Sequence, residues 1–166
     1  MNFQQIIDKY YPEGSPLRDI YMRHAHSVAD FAEELRQRYA PELDPSQVRA
    51  AAMLHDIGIF LTSAPDIHCL GSAPCIQHGP LGAELLRREG SPEWAARVAE
   101  RHTGVGIGTL IPETLLEQLV CYADKFYSKS GTMQRKSLSA VEKSMARFGD
   151  DNLAAFRRLH SRFSQG

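Results

Sequence analysis

The sequence contains little cysteine, which limits both the kind of fold and the kind of structural metal site it can have. Three cysteines, an odd number, occur in 166 residues, and a domain of this length can be stable without disulfide bonds. Five residues separate Cys69 from Cys75, wider than the usual spacing of a zinc-binding pair, and no second pair completes a four-cysteine site. We therefore interpret Cys69, Cys75 and Cys121 as free thiols.

The chain also lacks a long apolar segment and an excess of charge of either sign. Residues 1–11 carry Asp8 and Lys9 and contain no long apolar stretch, so they resemble neither a signal peptide nor a membrane span. The formal net charge of −1 gives no general attraction to nucleic acid or to an acidic membrane. We therefore expect a cytoplasmic protein that binds neither nucleic acid nor membrane. These features do not determine the oligomeric state, and a homodimer is compatible with them.

The amino-acid composition is typical of a single globular domain. Hydrophobic residues make up 43% of the chain and charged residues 23%, which provides enough apolar material for a single core. Apolar residues recur with the spacing of amphipathic helices, and no alternating run is long enough for a sheet. We predict an all-α domain over residues 1–166, with a core at about 19–130 and C-terminal helices at 134–164.

Prolines, glycines and capping residues predict the bounds of the helices. The predicted helical segments are 19–39, 45–55, 78–90, 92–102, 112–124, 139–148 and 151–163. Ser91 and Pro92 would supply an N-cap and a first-turn proline, and Pro112 would open the next helix. Residues 59–77 contain two prolines, a glycine and several small residues, and they are predicted to form the one long loop.

Histidine and aspartate recur at intervals of about one helix and one turn. His55 and Asp56 are adjacent at the end of an apolar helical run, and zinc, iron or manganese accepts an imidazole next to a carboxylate. The other candidate ligands are His24 or His26 upstream and His78, His102 and Asp124 downstream. A single buried histidine is more often a hydrogen-bonded core residue than a ligand. Intervals of 31, 23, 24 and 22 residues from His24 onward nevertheless predict a metal cluster.

The two upstream histidines lie on different faces of their helix. Val28, Phe31 and Leu35 form its apolar stripe, and His24 lies one turn before Val28 on the same face. His26 is two positions further on, roughly 200° around the helix from His24, which places it among polar residues. We therefore expect His24 rather than His26 to join the cluster.

Several segments of the chain resemble the motifs of the HD-domain superfamily of metal-dependent phosphohydrolases. They are Arg23-His24-Ala25-His26-Ser27-Val28-Ala29, His55-Asp56-Ile57-Gly58, His78-Gly79-Pro80-Leu81-Gly82-Ala83-Glu84 and Tyr122-Ala123-Asp124-Lys125. Residues 101–107, Arg-His-Thr-Gly-Val-Gly-Ile, further resemble a small, largely uncharacterised HDIG subgroup of short single-domain proteins. The resemblance implies an HD-domain helical bundle with a metal site in its centre.

The resemblance also implies which residues hold metal. A first divalent transition metal would be bound by His24, His55, Asp56 and Asp124. In the binuclear branch of the superfamily, His78 and His102 would hold a second metal, with Asp56 bridging the two. Iron, manganese, zinc, cobalt and nickel are all candidates.

The activity implied by the resemblance is hydrolysis of a phosphate ester in a nucleotide or another small phosphorylated metabolite. Hydroxide activated by the metal would attack phosphorus, and Asp56 would be the bridging carboxylate. Arg23 and Lys125 are candidate catalytic cations, and Lys125 and Arg101 are candidate substrate-binding residues, because each is adjacent in sequence to a proposed ligand. His68, in the predicted loop, is a further substrate-binding candidate, with a simple surface position as the alternative.

Two other functions are compatible with the same residues. Some binuclear HD proteins use the same order of six ligands with mixed-valence iron to activate oxygen, so an oxygenase acting on a small polyol or phosphonate is one alternative. The other is a non-catalytic HD module that binds a nucleotide. The intact set of candidate ligands argues against the non-catalytic module.

Overall fold

The protein is built mainly from α-helices. The computed structural model describes residues 2–104 and 110–164, and within these ranges eight α-helices confirm the all-α prediction. They are α1 (Phe3–Tyr10), α2 (Pro16–Tyr39), α3 (Pro45–Leu54), α4 (His78–Arg88), α5 (Glu93–Arg101), α6 (Leu115–Asp124), α7 (Leu138–Ala146) and α8 (Asp150–Phe163). No helix in the described ranges is long and apolar enough to cross a membrane.

Local capping accounts for three differences between predicted and observed helix starts. α2 begins at Pro16 rather than Asp19, because the Ser15 side chain accepts from the backbone N–H of Arg18. Ser91 does not cap α5, because Pro92 itself keeps an extended conformation with ψ 143° and takes the cap position. α6 does not start at Pro112. Its start is set by a capping box in which the Thr114 side chain accepts from the backbone of Glu117 and the Glu117 side chain accepts from the backbone of Thr114.

Two buried tyrosines hold the backbone around His55 and Asp56. Tyr11 directly follows α1, a helix for which the sequence analysis made no prediction, and its hydroxyl donates to the carbonyl of Ile57 at 2.9 Å. The hydroxyl of Tyr21, in α2, donates to the carbonyl of Met53 at 2.6 Å. These bonds fix the turn that follows α3 from both sides.

The connection over residues 59–77 has more regular structure than a loop. It contains a small antiparallel hairpin of β1 (Ser63–Ala64) and β2 (Cys69–Leu70), and three single turns of 3₁₀-helix. In the hairpin, Ser63 pairs with Leu70 and Ala64 pairs with Cys69. The last 3₁₀ turn, Cys75–Gln77, leads directly into α4 and thereby fixes where His78 lies.

Glycines allow close approach between the elements that surround the turn at His55. α2 packs against α3 and α6, and α4 packs against α5. A Cβ on Gly58 would lie 2.4 Å from the carbonyl oxygen of His78 and 2.5 Å from the backbone nitrogen of Gly82. A Cβ on Gly79 would lie 2.9 Å from the carbonyl oxygen of Ala99 in α5. Side chains at these positions would push α4 away from both neighbours.

Aromatic packing joins the C-terminal helices to α6. The ring of Tyr122 stacks on Phe156 of α8 with the centroids 5.7 Å apart, and it also contacts Phe163. Its hydroxyl lies 2.8 Å from Nδ1 of His160. α8 thus covers α6 close to Asp124, the last residue of that helix.

We expect Gly58→Ala to lower the free energy of unfolding by about 3 kcal/mol, because the added methyl group would overlap backbone atoms rather than a movable side chain. Gly131→Ala is the control. Gly131 has a φ of +69° but no atom within 4 Å of its Cβ position, so only backbone strain of about 1 kcal/mol is expected. Urea unfolding measures both values. Equal losses in the two variants would contradict the close approach of Gly58 to α4.

Candidate metal centre

Six side chains from five helices or their ends meet inside the bundle. They are His24 in α2, His55 and Asp56 just after α3, His78 at the start of α4, His102 just after α5 and Asp124 at the end of α6. The ligand atoms of two groups each lie within 4.8 Å of one another: His24, His55, Asp56 and Asp124 in the first group, and Asp56, His78 and His102 in the second. The two groups share Asp56.

Backbone carbonyl groups orient three of the four histidines. The Nδ1 atoms of His55, His78 and His102 lie 2.6, 2.6 and 2.7 Å from the carbonyl oxygen three residues earlier in each case. A proton on Nδ1 that is donated to a carbonyl leaves Nε2 as the atom for a metal. His24 differs, because its Nδ1 is buried without a hydrogen-bond partner in the described part of the chain.

The Asp56 carboxylate faces histidine nitrogens on both sides. Its Oδ2 lies 3.2 Å from Nε2 of His24 and of His55, and its Oδ1 lies 3.2 Å from Nε2 of His78 and 3.1 Å from Nε2 of His102. Asp56 is 1% exposed, and within the described ranges neither oxygen accepts a hydrogen bond of good geometry. Burial alone would raise the pKa of Asp56, but His55 and Lys129 hold it well below its usual range. A buried, ionised carboxylate of this kind requires cations or protons on both sides.

Asp124 completes the first group from α6. Its Oδ1 lies 3.0 Å from Nε2 of His24 and 3.2 Å from Nε2 of His55. Although burial acts to raise the pKa of Asp124, the two histidines hold it well below its usual range. Both carboxylates of the cluster therefore remain anions at neutral pH.

The histidines differ in how readily they are protonated. Burial lowers the pKa of His55 and of His78. Asp56, together with Asp124 at His55 and Cys75 at His78, outweighs burial and raises these pKa values to about 10 and about 9. Burial, together with the neighbouring histidines, lowers the pKa of His102 to about 4. At neutral pH the metal-free protein would thus hold protons on His55 and His78, at the nitrogens where a cation could bind.

The donor set fits a divalent transition metal. Imidazole nitrogen with carboxylate oxygen suits iron, manganese and zinc, while the buried acidic oxygens without aligned hydrogen bonds need positive charge close by. Each group supplies two imidazoles, and the first also has two carboxylates. The protein therefore has buried histidine and aspartate groups that could coordinate metal on either side of Asp56.

Two lysines, Lys125 and Lys129, lie beside the cluster. The sequence analysis identified Lys125 but not Lys129. Lys125 Nζ donates to the carbonyl of His102 at 2.8 Å and lies 3.6 Å from Asp124 Oδ2, so it links the ends of α5 and α6. Lys129 Nζ lies 2.8 Å from Asp56 Oδ2. Lys129 is in the turn after α6, where helical periodicity gives no prediction of direction. In the sequence, Lys129 is connected with the site only by lying four residues after Lys125, which is itself a candidate substrate-binding residue.

The remaining sequence candidates lie away from the cluster atoms. Arg23, His26 and His68 are exposed, and in the described ranges no hydrogen bond or ion pair joins them to the six clustered residues. Arg101 donates from Nη1 to the carbonyl of Ile111 at 2.8 Å, away from the cluster. His24 points inward and His26 outward, which is the arrangement that the helical periodicity predicts.

The chain matches one protein family, described as HD domain, over residues 21–128. This range covers more than half of the chain and includes all six clustered residues. Of the segment that resembles the HDIG subgroup, residues 105–107 lie outside the described residues. No solved structure matches the chain significantly.

The chain is similar in sequence to several known proteins, of which three are described here. The chain is 30% identical over 162 residues to a tRNA (cytidine(56)-2'-O)-methyltransferase of Picrophilus torridus, and 27% identical over 169 residues to the enzyme of that name from Thermoplasma volcanium. These matches cover 88% and 95% of this chain but 42% and 45% of the relatives, so the chain spans less than half of their length. An uncharacterized protein of Methanocaldococcus jannaschii is 31% identical over 146 residues, with 79% of each protein covered.

Removing His24 should lower the metal content, whereas removing His26 should leave it unchanged. His24 contributes Nε2 to the first group, and the His26 ring is exposed and 3.4 Å from Arg49. Elemental analysis of the purified His24→Ala and His26→Ala proteins measures the metal bound per chain. Equal metal content in the two variants would contradict the placement of His24 in the centre.

Loading the metal-free protein with Mn²⁺ at pH 7 should release protons, because His55 and His78 must each lose one before Nε2 can bind metal. The apparent affinity should therefore rise with pH. Calorimetric titration in buffers of different ionisation enthalpy measures the number of protons, and His78→Ala should release about one fewer. A heat of binding that does not depend on the buffer would contradict these protonation states.

Proposed function

The chain belongs to the HD-domain family, and from this membership we propose that it is a metal-dependent phosphohydrolase that cleaves a phosphate ester of a nucleotide or another small phosphorylated metabolite. The observation that carries the proposal is the position of Asp56, whose two oxygens each face two histidine nitrogens at 3.1 to 3.2 Å. A carboxylate placed in this way suits a bridge between two cations that act on one phosphate.

The chemistry would be divided between bound metal and protein. Divalent cations in the two groups would supply Lewis acidity, which lowers the pKa of a water molecule and neutralises charge on a phosphoryl group. The protein holds the ligands in place: carbonyl groups fix the rings of His55, His78 and His102, and Lys125 ties the end of α6 to the carbonyl of His102. Substrate would then meet ligands that need little reorganisation.

Lys129 is the side chain best placed to stabilise charge on the substrate. Burial lowers the pKa of Lys129, but Asp56 and Asp124 outweigh it and raise the pKa above its ordinary value, so the ammonium group stays charged. A permanent cation suits phosphoryl oxygens better than it suits proton transfer. Asp56 would help to hold a divalent cation, and Lys129, whose Nζ lies 2.8 Å from Asp56 Oδ2, would then be available to a substrate oxygen. Lys129 therefore replaces Arg23 as our candidate for a catalytic cation.

Methyl transfer is not part of the proposal. The two methyltransferases are matched over less than half of their length, and transfer of a methyl group to a ribose hydroxyl does not require clustered histidine and aspartate ligands. A di-iron oxygenase remains the second candidate function, because the same six ligand positions on both sides of Asp56 would also suit two irons.

The test of reaction class is phosphate release from a panel of nucleotides and phosphomonoesters by metal-loaded protein, measured with and without oxygen. We expect the rate to be the same anaerobically, because hydrolysis consumes only water. Turnover that needs oxygen and yields an oxidised product would contradict the proposal and favour the oxygenase.

Asp56→Ala should reduce the rate of phosphate release by at least about a thousandfold, because it removes a ligand from both groups. Asp66→Ala, at an exposed aspartate of the 59–77 connection, is the matched control and should retain activity. Thermal unfolding of both variants checks that the fold survives. Retained activity in a folded Asp56→Ala protein would rule out the bridging role.

A further inference from the structure

The residues that follow α6 form a closed loop, and Lys129 lies within it. Residues 127–135 contain no helix or strand, and the N–H of Lys136 donates to the carbonyl of Phe126 at 2.8 Å, which brings the two ends of the loop together. Gly131 lies near the middle of the loop with a φ of +69°, a conformation that suits a tight turn. Because no regular hydrogen-bonding pattern spans the loop, side-chain contacts determine where Lys129 lies.

Arg135 attaches this loop to α2. Its guanidinium carbon lies 3.9 Å from the centre of the Phe31 ring, and its Nη1 and Nη2 donate to the two carboxylate oxygens of Glu34 at 3.2 and 2.9 Å. Its Nε donates at 2.7 Å to the hydroxyl of Tyr127, at the other end of the loop. One planar guanidinium group therefore joins the two ends of the loop to each other and to α2. We call these four residues the arginine clamp.

Lys129 makes the other polar attachment of the loop. Within the described ranges, hydrogen bonds and ion pairs join side chains of residues 127–135 to the rest of the protein at two places, Arg135 with Glu34 and Lys129 with Asp56. A lysine side chain is a flexible stem, so the position of its ammonium group depends on how firmly its backbone is held. The arginine clamp provides that restraint from outside the metal centre.

The arginine clamp is separate from the candidate metal ligands. In the described part of the chain, no hydrogen bond or ion pair joins Glu34 or Arg135 to any of the six clustered residues. Loss of the clamp should therefore disturb Lys129 while the imidazole and carboxylate groups stay in place.

We propose that Arg135 is a positioning residue, which clamps the loop of residues 127–135 onto α2 and so holds the Lys129 ammonium group where an anion binds at the metal centre. This inference rests on the proposed function for the role of Lys129 as a cation that contacts substrate. Arg135 itself does not touch the anion, because its polar contacts are with Glu34 and Tyr127. Without the clamp, Lys129 has to be ordered each time an anion binds, which weakens binding.

A double-mutant cycle on anion binding tests the inference apart from catalysis. Inorganic phosphate is titrated into Mn²⁺-loaded protein, and calorimetry gives its dissociation constant for Arg135→Met, Lys129→Met and the double variant. We expect Lys129→Met to weaken binding roughly tenfold and Arg135→Met about fivefold, with no additional loss from Arg135→Met once Lys129 is absent. Arg157→Met, which removes an exposed arginine paired with Glu142 at 3.1 Å, is the matched control and should keep the wild-type affinity. Elemental analysis should find the same metal content in every variant.

Two further variants separate position from charge. Arg135→Lys keeps the positive charge but cannot form the two parallel bonds to Glu34, so its affinity for phosphate should stay below that of the wild type. Glu34→Ala removes a negative charge, which would strengthen phosphate binding if net charge alone were responsible, whereas loss of the clamp should weaken it. Glu34→Ala also tests the clamp from the side of α2 should Arg135→Met fail to fold.

A wild type that binds no phosphate, or unchanged affinity in Arg135→Met, would overturn the inference. The same loss from Arg135→Met with and without Lys129 would also overturn it, as would wild-type affinity in Lys129→Met, because Arg135 is inferred to act through that lysine. Tighter binding in Glu34→Ala would show that charge outweighs position and would equally contradict it. Coupled losses in a protein that hydrolyses no phosphate ester would support the positioning role and contradict only the hydrolase proposal.

Discussion

A buried carboxylate, that of Asp56, is the constraint on which the rest of the centre depends. With 1% of its surface exposed, the anion cannot be stabilised by water, and an uncompensated charge in that environment would cost several kcal/mol. The protein surrounds it with four histidine nitrogens and the Lys129 ammonium group. Those histidines come from four different helices or their ends, so the charge of one residue determines how the helices must meet. Cations on both sides of Asp56 would satisfy this requirement more completely than protons on two of the histidines can.

The packing of the fold provides the precision that such a centre needs. Glycine at position 58 lets the turn at Asp56 approach the backbone of α4, and Gly79 lets α4 approach α5, so that His78 and His102 reach the same carboxylate. On the opposite side, the hydroxyl groups of Tyr11 and Tyr21 hold the carbonyls that flank the turn. A shift of α4 by the width of one methyl group would move His78 away from Asp56 and His102, with which it forms the second group. Stability and site geometry are therefore linked through backbone contacts at a few small residues.

The sequence predicts the parts of the molecule that depend on periodicity and on local signals. Helical spacing places His24 inward and His26 outward, and recurrent histidine and aspartate identify six residues that the fold brings together. Features that depend on contacts between distant segments could not be predicted. Lys129 reaches Asp56 from a turn without periodicity, and Arg23 is exposed although it precedes a clustered histidine, because adjacent helical residues point about 100° apart. The shifted start of α6 reflects competition between a proline and a capping box, in which the side-chain hydrogen bonds of Thr114 and Glu117 prevailed.

The most direct test of the central claim is anomalous diffraction from crystals of the protein grown with Mn²⁺, because it locates each metal without reference to activity. The account predicts two peaks on opposite sides of the Asp56 carboxylate, one next to His24, His55 and Asp124 and the other next to His78 and His102. A single peak next to Asp124 would leave a mononuclear centre and remove the bridging role of Asp56. The absence of any peak at Asp56 in metal-saturated crystals would contradict the account as a whole.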